Sequence, residues 1–410
     1  MNHLNEKEME QLICQVGLSA TQDLLSGEAV PQHLLQLVSS PSRFIAWAAV
    51  RAAEDLQSVD VFIRDRNLRP LYLQAAQHPD WWVRYTVADR LEFDPPPLRL
   101  YCRMLTDPCP AVRNRFLLGL LQIPQAYGIL FPAGTFVPDN QDSASALQSP
   151  LQRHIPFDID KLISLQDYII VDLIEFISNK IESKHLLKYF LDPRFDPVVR
   201  IAVVEALQGD ETILMQMIKD DHIAVKFAAV RYLQWHINET NWETLGKATL
   251  QLTFHPCLLI AQAAVRALRE CFEVWTKSEV ADPLLVQRLQ ELLDHEDALM
   301  RVNSLYALQH YWYAPKTLHN YLLRKWEQES TPRVKVEYAA TLWWWMGPKE
   351  WISTFGEWLY RFDGGRYRHL LRYLVSSWQK AEWQEMVSSV CDKSLRRYLH
   401  SCLRRAGGRV

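Results

Sequence analysis

The tryptophans are the side chains in this sequence with the greatest capacity for recognition. The chain has 15 of them, including Trp81 and Trp82 and the run Trp343, Trp344 and Trp345. Consecutive helical residues point about 100° apart, so three adjacent tryptophans cannot all face one core. We expect at least one to lie at a surface, where tryptophan is enriched among the residues that dominate binding energy. The candidate partner-binding residues are Trp81, Trp82, Trp343 and Trp344; the alternative is that these rings fill gaps between neighbouring helices.

A second group of candidate contacts lies in the C-terminal segment. From Arg361 onward the chain has eleven Lys or Arg and four Asp or Glu, whereas the net charge of the whole chain is −3. Such asymmetry is typical of an end that meets an acidic partner or nucleic acid. The candidates are Arg366, Arg368, Arg396 and Arg397. The alternative is a solvated pair of helices that caps a helical array.

Patterns that would support catalysis or metal binding are missing from the sequence. It has no HExxH, GxSxG, GxxxxGK[ST] or GxGxxG motif, and its 13 histidines include no i,i+4 pair. The seven cysteines are odd in number and form no CxxC motif, which argues against a disulfide framework or a thiolate zinc site. We therefore predict no catalytic residue, no metal and no cofactor, and the sequence favours a protein that is not an enzyme.

The sequence also contains features that indicate the cellular compartment of the protein. The first ten residues are polar and acidic and lack the apolar region of a signal peptide. No run approaches 18 apolar residues, so we expect no membrane span. With scattered cysteines, these features predict a cytoplasmic protein.

Repeated helical pairs must position the candidate residues. The segment from His78 to Leu91 repeats in the segment from Asp107 to Leu120, each with a Pro/Asp turn, a Val-Arg step and a Leu seven residues after the Arg. Two similar segments that follow one another at such a short distance along the chain are typical of stacked helical repeats. We call the position of this Arg the rung position. Across eight aligned units it holds Ala46, Arg84, Arg113, Arg200, Lys226, Ala261, Arg301 and Lys335.

Each unit surrounds the rung position with the same apolar stripe. The residue before it and the residue four after it are apolar in all eight units, and Ala53 or a leucine stands seven after it. These offsets predict one helical face that the next unit covers. Asp80, Asp196 and Asp297, four residues before the rung position, are predicted N-caps. In six of the eight units, prolines three or five residues before it mark the turn inside the helical pair.

At these residues the chain resembles the HEAT-repeat superfamily, in the short bacterial form also seen in bilin-lyase-like proteins. That form reads roughly Asp-Pro-x-x-x-Val-Arg-x-x-Ala-x-x-Ala-Leu, and the resemblance covers about residues 40–350. It implies an all-α fold, a right-handed α-solenoid of about eight to ten helical pairs. In the family, the second helix of each pair lines the concave face, and Asp and Arg residues bridge successive turns. The resemblance makes Arg84, Arg113, Arg200 and Arg301 structural ladder residues, whereas Ala46 and Ala261 depart from the pattern.

The repeats predict four regions along the chain. Residues 1–121 hold an N-terminal helix and the first repeats, and 122–160 form an irregular insertion rich in Pro and Gly. Residues 161–350 hold the central repeats, and 351–410 form a basic helical cap. The insertion is a natural place for specificity, because loops on a rigid array carry recognition.

Three functions are compatible with this organisation. The sequence favours a non-enzymatic scaffold, an adaptor, chaperone or inhibitory partner that binds another protein through the concave face of a HEAT solenoid. One alternative is a nucleic-acid-binding HEAT protein similar to the alkylpurine glycosylases, which would use the basic C-terminal end. The other alternative is a bilin-lyase-like protein, suggested only by the subtype of the repeat.

Overall fold

The regular secondary structure is helical throughout the residues that the computed structural model describes. The chain divides into two compact units, and α1 (Glu6–Ser26) and α3 (Arg43–Val59) contribute residues to both. The first unit contains Met1–Val16, Val30–Glu54 and Asn67–Tyr232, and the second contains Gly17–Ala29, Asp55–Arg66 and Leu233–Val410. The described residues are 6–59, 67–90, 98–122, 163–178, 181–206, 210–237, 240–269, 282–311, 314–347, 352–361, 371, 387 and 390–407.

The helices of the first unit pack mainly on their neighbours in sequence. Besides parts of α1 and α3 they are α2 (Gln32–Val38), α4 (Arg69–Ala75), α5 (Trp81–Arg90), α6 (Leu98–Leu105), α7 (Pro110–Gln122), α8 (Asp167–Ser178), a 3₁₀ helix (Ile181–Leu191), α9 (Pro197–Ala206), α10 (Glu211–Met217) and α11 (Ile223–Leu233), whose last residue belongs to the second unit. Helix α4 packs on α5, α6 on α7, and α5 on α7. Helix α8 packs on both α7 and α9.

The second unit has the same pairwise packing. After a π-helical turn (Trp242–Gly246) come α12 (Lys247–Leu252), α13 (Leu258–Ala267), α14 (Pro283–Leu292), α15 (Ala298–Gln309), α16 (Lys316–Gln328), α17 (Pro332–Met346), a second π-helical turn (Ile352–Gly356), α18 (Glu357–Arg361) and α19 (Lys393–Gly407). Helix α12 packs on α13, α14 on α15 and α16 on α17, while α13, α15 and α17 pack side by side.

All eight rung positions fall in helices, on the odd-numbered helices from α3 to α17, which we call the second helices. The residue before the rung position is buried in all eight, and the small residues three positions after it have no exposed surface in α3, α11, α13 and α15. The predicted apolar stripe is therefore confirmed. One position differs, because Leu117, four residues after the rung position of α7, is exposed. Gln122 ends α7, and the rest of the predicted insertion lies outside the described residues.

The predicted N-caps form the expected hydrogen bonds. Asp80 accepts the backbone N–H of the residue two positions later at 2.8 Å, and Asp196 does the same at 2.9 Å. Asp297 accepts the N–H of Met300 at 2.8 Å. Each bond satisfies a donor that the first turn of a helix leaves without an intrahelical partner, which stabilises a helix by about 1 kcal/mol.

Three rung-position arginines reach into the next helical pair. Each makes a two-bond ion pair with an acid that lies six residues before the rung position of that next pair. The fork of donors on Arg matches the two oxygens of a carboxylate, so the pair fixes orientation as well as distance. The pairs are Arg84–Asp107 (2.7 and 3.0 Å), Arg200–Asp220 (2.9 and 3.1 Å) and Arg301–Glu329 (3.0 and 3.3 Å). The fourth ladder candidate, Arg113, donates to the backbone carbonyls of Asp107 and Pro108 in its own unit.

In six of the eight units the position six residues before the rung is an acid or a histidine and supplies an acceptor for its own turn; the exceptions are Ser40 and Arg194. Where it is an acid, one carboxylate oxygen accepts the backbone N–H two residues later, at 2.8 to 2.9 Å. Where the preceding unit has Ala46, Lys226 or Ala261 at its rung, the position is a histidine, whose Nδ1 accepts the equivalent N–H at 3.0 to 3.1 Å. The histidines are His78, His255 and His295. Acid and histidine are thus equivalent in the turn, and only the acid also neutralises an arginine.

In the first unit, α3 covers part of the surface of α9 and α11. The ring of Trp47 meets that of Phe227 edge-on with centroids 5.7 Å apart, and both residues lie one position after their rungs. Arg51, five after its rung, pairs with Glu205 of α9 at 2.6 Å. The resemblance implied that the second helices line an open concave face, whereas in the first unit α3 covers part of α9 and α11.

In the second unit, the equivalent face of α13 is also covered. Arg266, five residues after its rung, pairs with Asp55 in the last part of α3 at 2.8 Å. Gln262, one residue after its rung, is buried against the second half of α1. The expectation that the second helices offer an open binding face therefore does not hold for α13 in this arrangement.

Candidate interaction surface

Trp81 and Trp82 pack with other aromatic rings of the first unit. Trp82 has no exposed surface, and its ring stacks on Tyr85 with centroids 5.4 Å apart. Trp81 is half-buried and meets Trp82 and Tyr168 edge-on at 5.7 and 6.3 Å. Trp82 therefore belongs to the core, and Trp81 keeps part of its surface. No described contact tests a binding role for either residue, which stays a prediction.

The run of three tryptophans in α17 divides between core and surface. Trp343 is buried at 5% exposure, whereas Trp344 is 43% exposed, which confirms that at least one of the three faces outward. Trp345 is half-buried, and its ring stacks on His319 at 5.1 Å. The separation follows from the 100° step between consecutive helical residues. Trp344 remains a candidate for binding, and Trp343 is placed to stabilise the fold.

The basic candidates that the structure describes lie in α19. Arg396 is half-buried, and its Nε donates to the carbonyl of Val390 at 2.8 Å, so this side chain helps to hold the start of the helix. Arg397 is exposed and offers its charge to solvent. Arg366 and Arg368 lie outside the described residues.

A further exposed tryptophan is Trp235, which was not among the candidates predicted from the sequence. It is 58% exposed and lies nine residues after the rung position of its unit, at the register that Trp344 occupies in α17. The repeat alignment contained this signal, because both residues sit just beyond the stripe that the neighbouring unit covers. Two tryptophans at equivalent positions in different units indicate a shared surface, whereas adjacent tryptophans in one helix do not.

Hydrogen bonds in the second unit show that these two positions belong to one edge. Arg266 of α13 donates from Nε to Gln234 Oε1 at 3.3 Å, which places the end of α13 beside the residue before Trp235. Arg269, just after α13, donates to His310 Nε2 at 3.1 Å, at the end of α15. Thr341 of α17 donates to a carbonyl of α15 at 3.3 Å. Gln234, beside Trp235, and the ends of α13, α15 and α17 therefore follow one another along one edge of the second unit.

We call this the tryptophan edge and define it by Trp235, Arg269, His310 and Trp344. In the same edge the guanidinium of Arg269 lies 4.5 Å from the centre of the Tyr306 ring, which is itself buried. Trp, Tyr and Arg are the residue types most enriched among those that dominate binding energy at protein interfaces. The edge is therefore chemically suited to bind a protein segment.

Comparisons with known proteins leave the family open. No protein-family model matches the chain. No curated protein matches it either. Within the described part of the chain, no helix is both long and apolar enough to cross a membrane, and no three His, Cys, Asp or Glu side chains are grouped so that they could hold a metal ion.

Proposed function

We propose that this chain is a HEAT-like α-solenoid that serves as a scaffold and binds another protein through the tryptophan edge. The HEAT assignment is supported by three rung-position arginines, each of which forms an ion pair with an acid of the following helical unit. The residue before the rung position, which is buried in all eight units, also supports it. Such units bury their apolar faces on their neighbours, which leaves edges and faces for recognition.

The observation that carries the binding proposal is the exposure of Trp235 and Trp344 at the same register. The leucine stripe and, in α17, Trp343 already form the apolar core at these helix ends, so the exposed tryptophan rings are not needed to complete it. Helices α1 and α3 cover parts of α9, α11 and α13, whereas Trp235 and Trp344 are exposed, so the edge is the more accessible surface.

The test is capture of a partner from a lysate of the source cells with variants of the full chain. The wild-type chain and the control Phe254→Ala, which removes an exposed aromatic ring away from the edge, are expected to retain the same protein. Trp235→Ala combined with Trp344→Ala should lose it, while the melting temperature stays within a few degrees of wild type. Retention of the partner by the double variant would overturn the assignment to this edge.

Nuclease treatment of the same lysate separates this proposal from the nucleic-acid alternative. A protein partner of the edge should survive nuclease and depend on the two tryptophans. If every captured component is lost after nuclease and Arg397→Glu has the same effect, the exposed basic surface of α19 binds nucleic acid instead.

A further inference from the structure

The second half of α1 approaches α13 more closely than most helices allow. A Cβ atom built on Gly17 would lie 2.8 Å from the backbone nitrogen of Leu259 and 3.1 Å from its Cα. Real Cβ atoms do not come so near to backbone atoms, so no larger residue fits here without moving the helix. Gly17 therefore allows direct contact between the backbones of α1 and α13.

Four residues further along α1, Thr21 enters a buried polar cluster. Its hydroxyl donates to Asp297 Oδ2 at 2.6 Å. Gln262 Nε2 lies 3.0 Å from Thr21 Oγ1, 3.2 Å from Asp297 Oδ1 and 3.3 Å from the carbonyl of Gly17. Thr21, Gln262 and Asp297 are all more than nine-tenths buried. A cluster of this kind specifies one register for the bound helix, because a shift by one residue would break every bond in it.

This cluster leaves hydrogen-bonding capacity unused. Gln262 Oε1 lies 3.2 Å from the position of a Cβ on Gly17, so it faces α1, and it accepts no hydrogen bond. Neither does Oδ1 of the buried Asn303, whose Nδ2 donates to the carbonyl of Gln262. A buried carbonyl oxygen without a donor weakens an interface by an amount comparable to a lost hydrogen bond, about tenfold in affinity. Helix α1 is therefore an incomplete ligand for the surface that it covers.

Helix α1 also has an exposed apolar face. Leu18 and Leu25, seven residues apart and hence on one helical face, are 54% and 46% exposed. The helix is followed by Gly27, whose φ of 61° ends it in the left-handed region. The opposite face of α1 is buried, with Ile13, Val16, Ala20 and Leu24 at 0–1% exposure, so the unsatisfied acceptor is the feature that weakens its attachment to α13.

We propose that the surface formed by Leu259, Gln262 and Asp297 is a helix-binding site, which α1 occupies as a displaceable internal ligand. The partner is an α-helix with glycine at the point of closest approach and Ser or Thr four residues later. It also carries a side-chain donor that reaches Gln262 Oε1. This site rests on the proposed function as a protein-binding scaffold, but it uses the face of α13 and the start of α15 rather than the tryptophan edge.

The test uses the full chain and a labelled synthetic peptide of residues 6–26 as the probe. Thr21→Val weakens the resident helix, so this chain should bind the wild-type peptide about tenfold more tightly than the wild-type chain does. The control Thr106→Val, at an exposed threonine of the first unit, should bind like wild type. Adding Gln262→Leu to Thr21→Val, or replacing Gly17 by Leu in the peptide, should abolish binding.

Hydrogen exchange on the unmodified chain provides a readout that does not depend on a folded variant. Amides of residues 17–26 should exchange through a local opening, at least tenfold faster than those of α13 and α15. Exchange of all three helices together, or equal peptide binding by wild type and Thr21→Val, would overturn the proposal. The Trp235→Ala and Trp344→Ala double variant should exchange like wild type in α1, so failure of this site is distinguishable from failure of the tryptophan edge.

Discussion

Arg84 holds Asp107 of the next helical pair with two hydrogen bonds, Nε to Oδ2 at 2.7 Å and Nη2 to Oδ1 at 3.0 Å. The third nitrogen of the guanidinium, Nη1, donates to the carbonyls of His78 and Pro79 at 2.8 Å each. One side chain thus closes the turn of its own unit and fixes the position of the following unit. Arg200 and Arg301 make the same kinds of hydrogen bonds. In these units the arginine side chains, rather than the loops, therefore fix the spacing to the next unit.

Removing Asp107 should destabilise the first unit more than removing the whole pair. Both side chains are buried, so Asp107→Ala leaves the charge of Arg84 uncompensated and should lower the free energy of unfolding by about 3–5 kcal/mol. Arg84→Ala combined with Asp107→Ala should lower it by less than the sum of the two single variants. Urea unfolding of the three variants gives the coupling energy. Additive effects would show that the two residues act independently.

A new rung should form between Ala261 and His295 when both positions are changed. His295 occupies the position that holds an acid after Arg84, Arg200 and Arg301, and its Nδ1 already accepts the same backbone N–H. Ala261→Arg alone should destabilise the second unit, because it buries an unpaired charge. Adding His295→Asp should restore about 1–3 kcal/mol of the free energy of unfolding. No coupling between the two substitutions in a double-mutant cycle would refute the equivalence of acid and histidine at this position.

These rungs show where reasoning from the sequence succeeds. The stripe, the N-caps and the rung positions follow from local periodicity, because each depends on residues within one unit or in the next one. The cover that α1 and α3 provide could not be predicted in this way. Arg51 and Glu205 are 154 residues apart, and no periodic pattern relates them. The polar residues Gln262 and Asn303 offered a signal, since polar side chains on an otherwise apolar helix indicate a specific buried partner.

The register of the apolar stripe predicts two opposite outcomes for leucine-to-aspartate substitutions. Leu308, seven residues after the rung of α15, has no exposed surface, so Leu308→Asp should lower the free energy of unfolding by about 3 kcal/mol or more. Leu284 in α14 is 57% exposed, and Leu284→Asp should change it by less than about 0.5 kcal/mol. Thermal melts of both variants provide the measurement. A wild-type melting curve for Leu308→Asp would show that the assigned register is wrong.

His222 should make the first unit less stable as the pH falls. Burial, with a smaller contribution from Arg200, lowers the pKa of His222 from 6.5 to about 4, and its ring packs on Phe44 at 4.6 Å. Between these two pH values the unfolded chain binds a proton that the folded chain excludes. The contribution of His222 is therefore complete above pH 6.5 and is lost as the pH falls to 4, by about 3 kcal/mol.

A variant isolates this contribution from those of other titrating groups. His222→Asn removes the ionisable ring, so its free energy of unfolding should decline less than that of wild type between pH 7 and pH 4.5, by about 2–3 kcal/mol. Urea unfolding at the two pH values gives the difference. Parallel declines in both proteins would show that His222 titrates alike in the folded and unfolded chains.

Trp343 and Trp344 are adjacent in sequence but should respond in opposite ways to truncation. The ring of Trp343 is buried and meets that of Trp344 at 4.3 Å, so Trp343→Ala should leave a cavity and lower the free energy of unfolding by about 3–5 kcal/mol. Trp344→Ala removes a ring that is 43% exposed and should lower it by less than about 1 kcal/mol, while weakening capture of the partner. Urea unfolding and partner capture with the same two preparations separate the roles. Equal losses of stability would place both rings in the core, and the tryptophan edge would then depend on Trp235 alone.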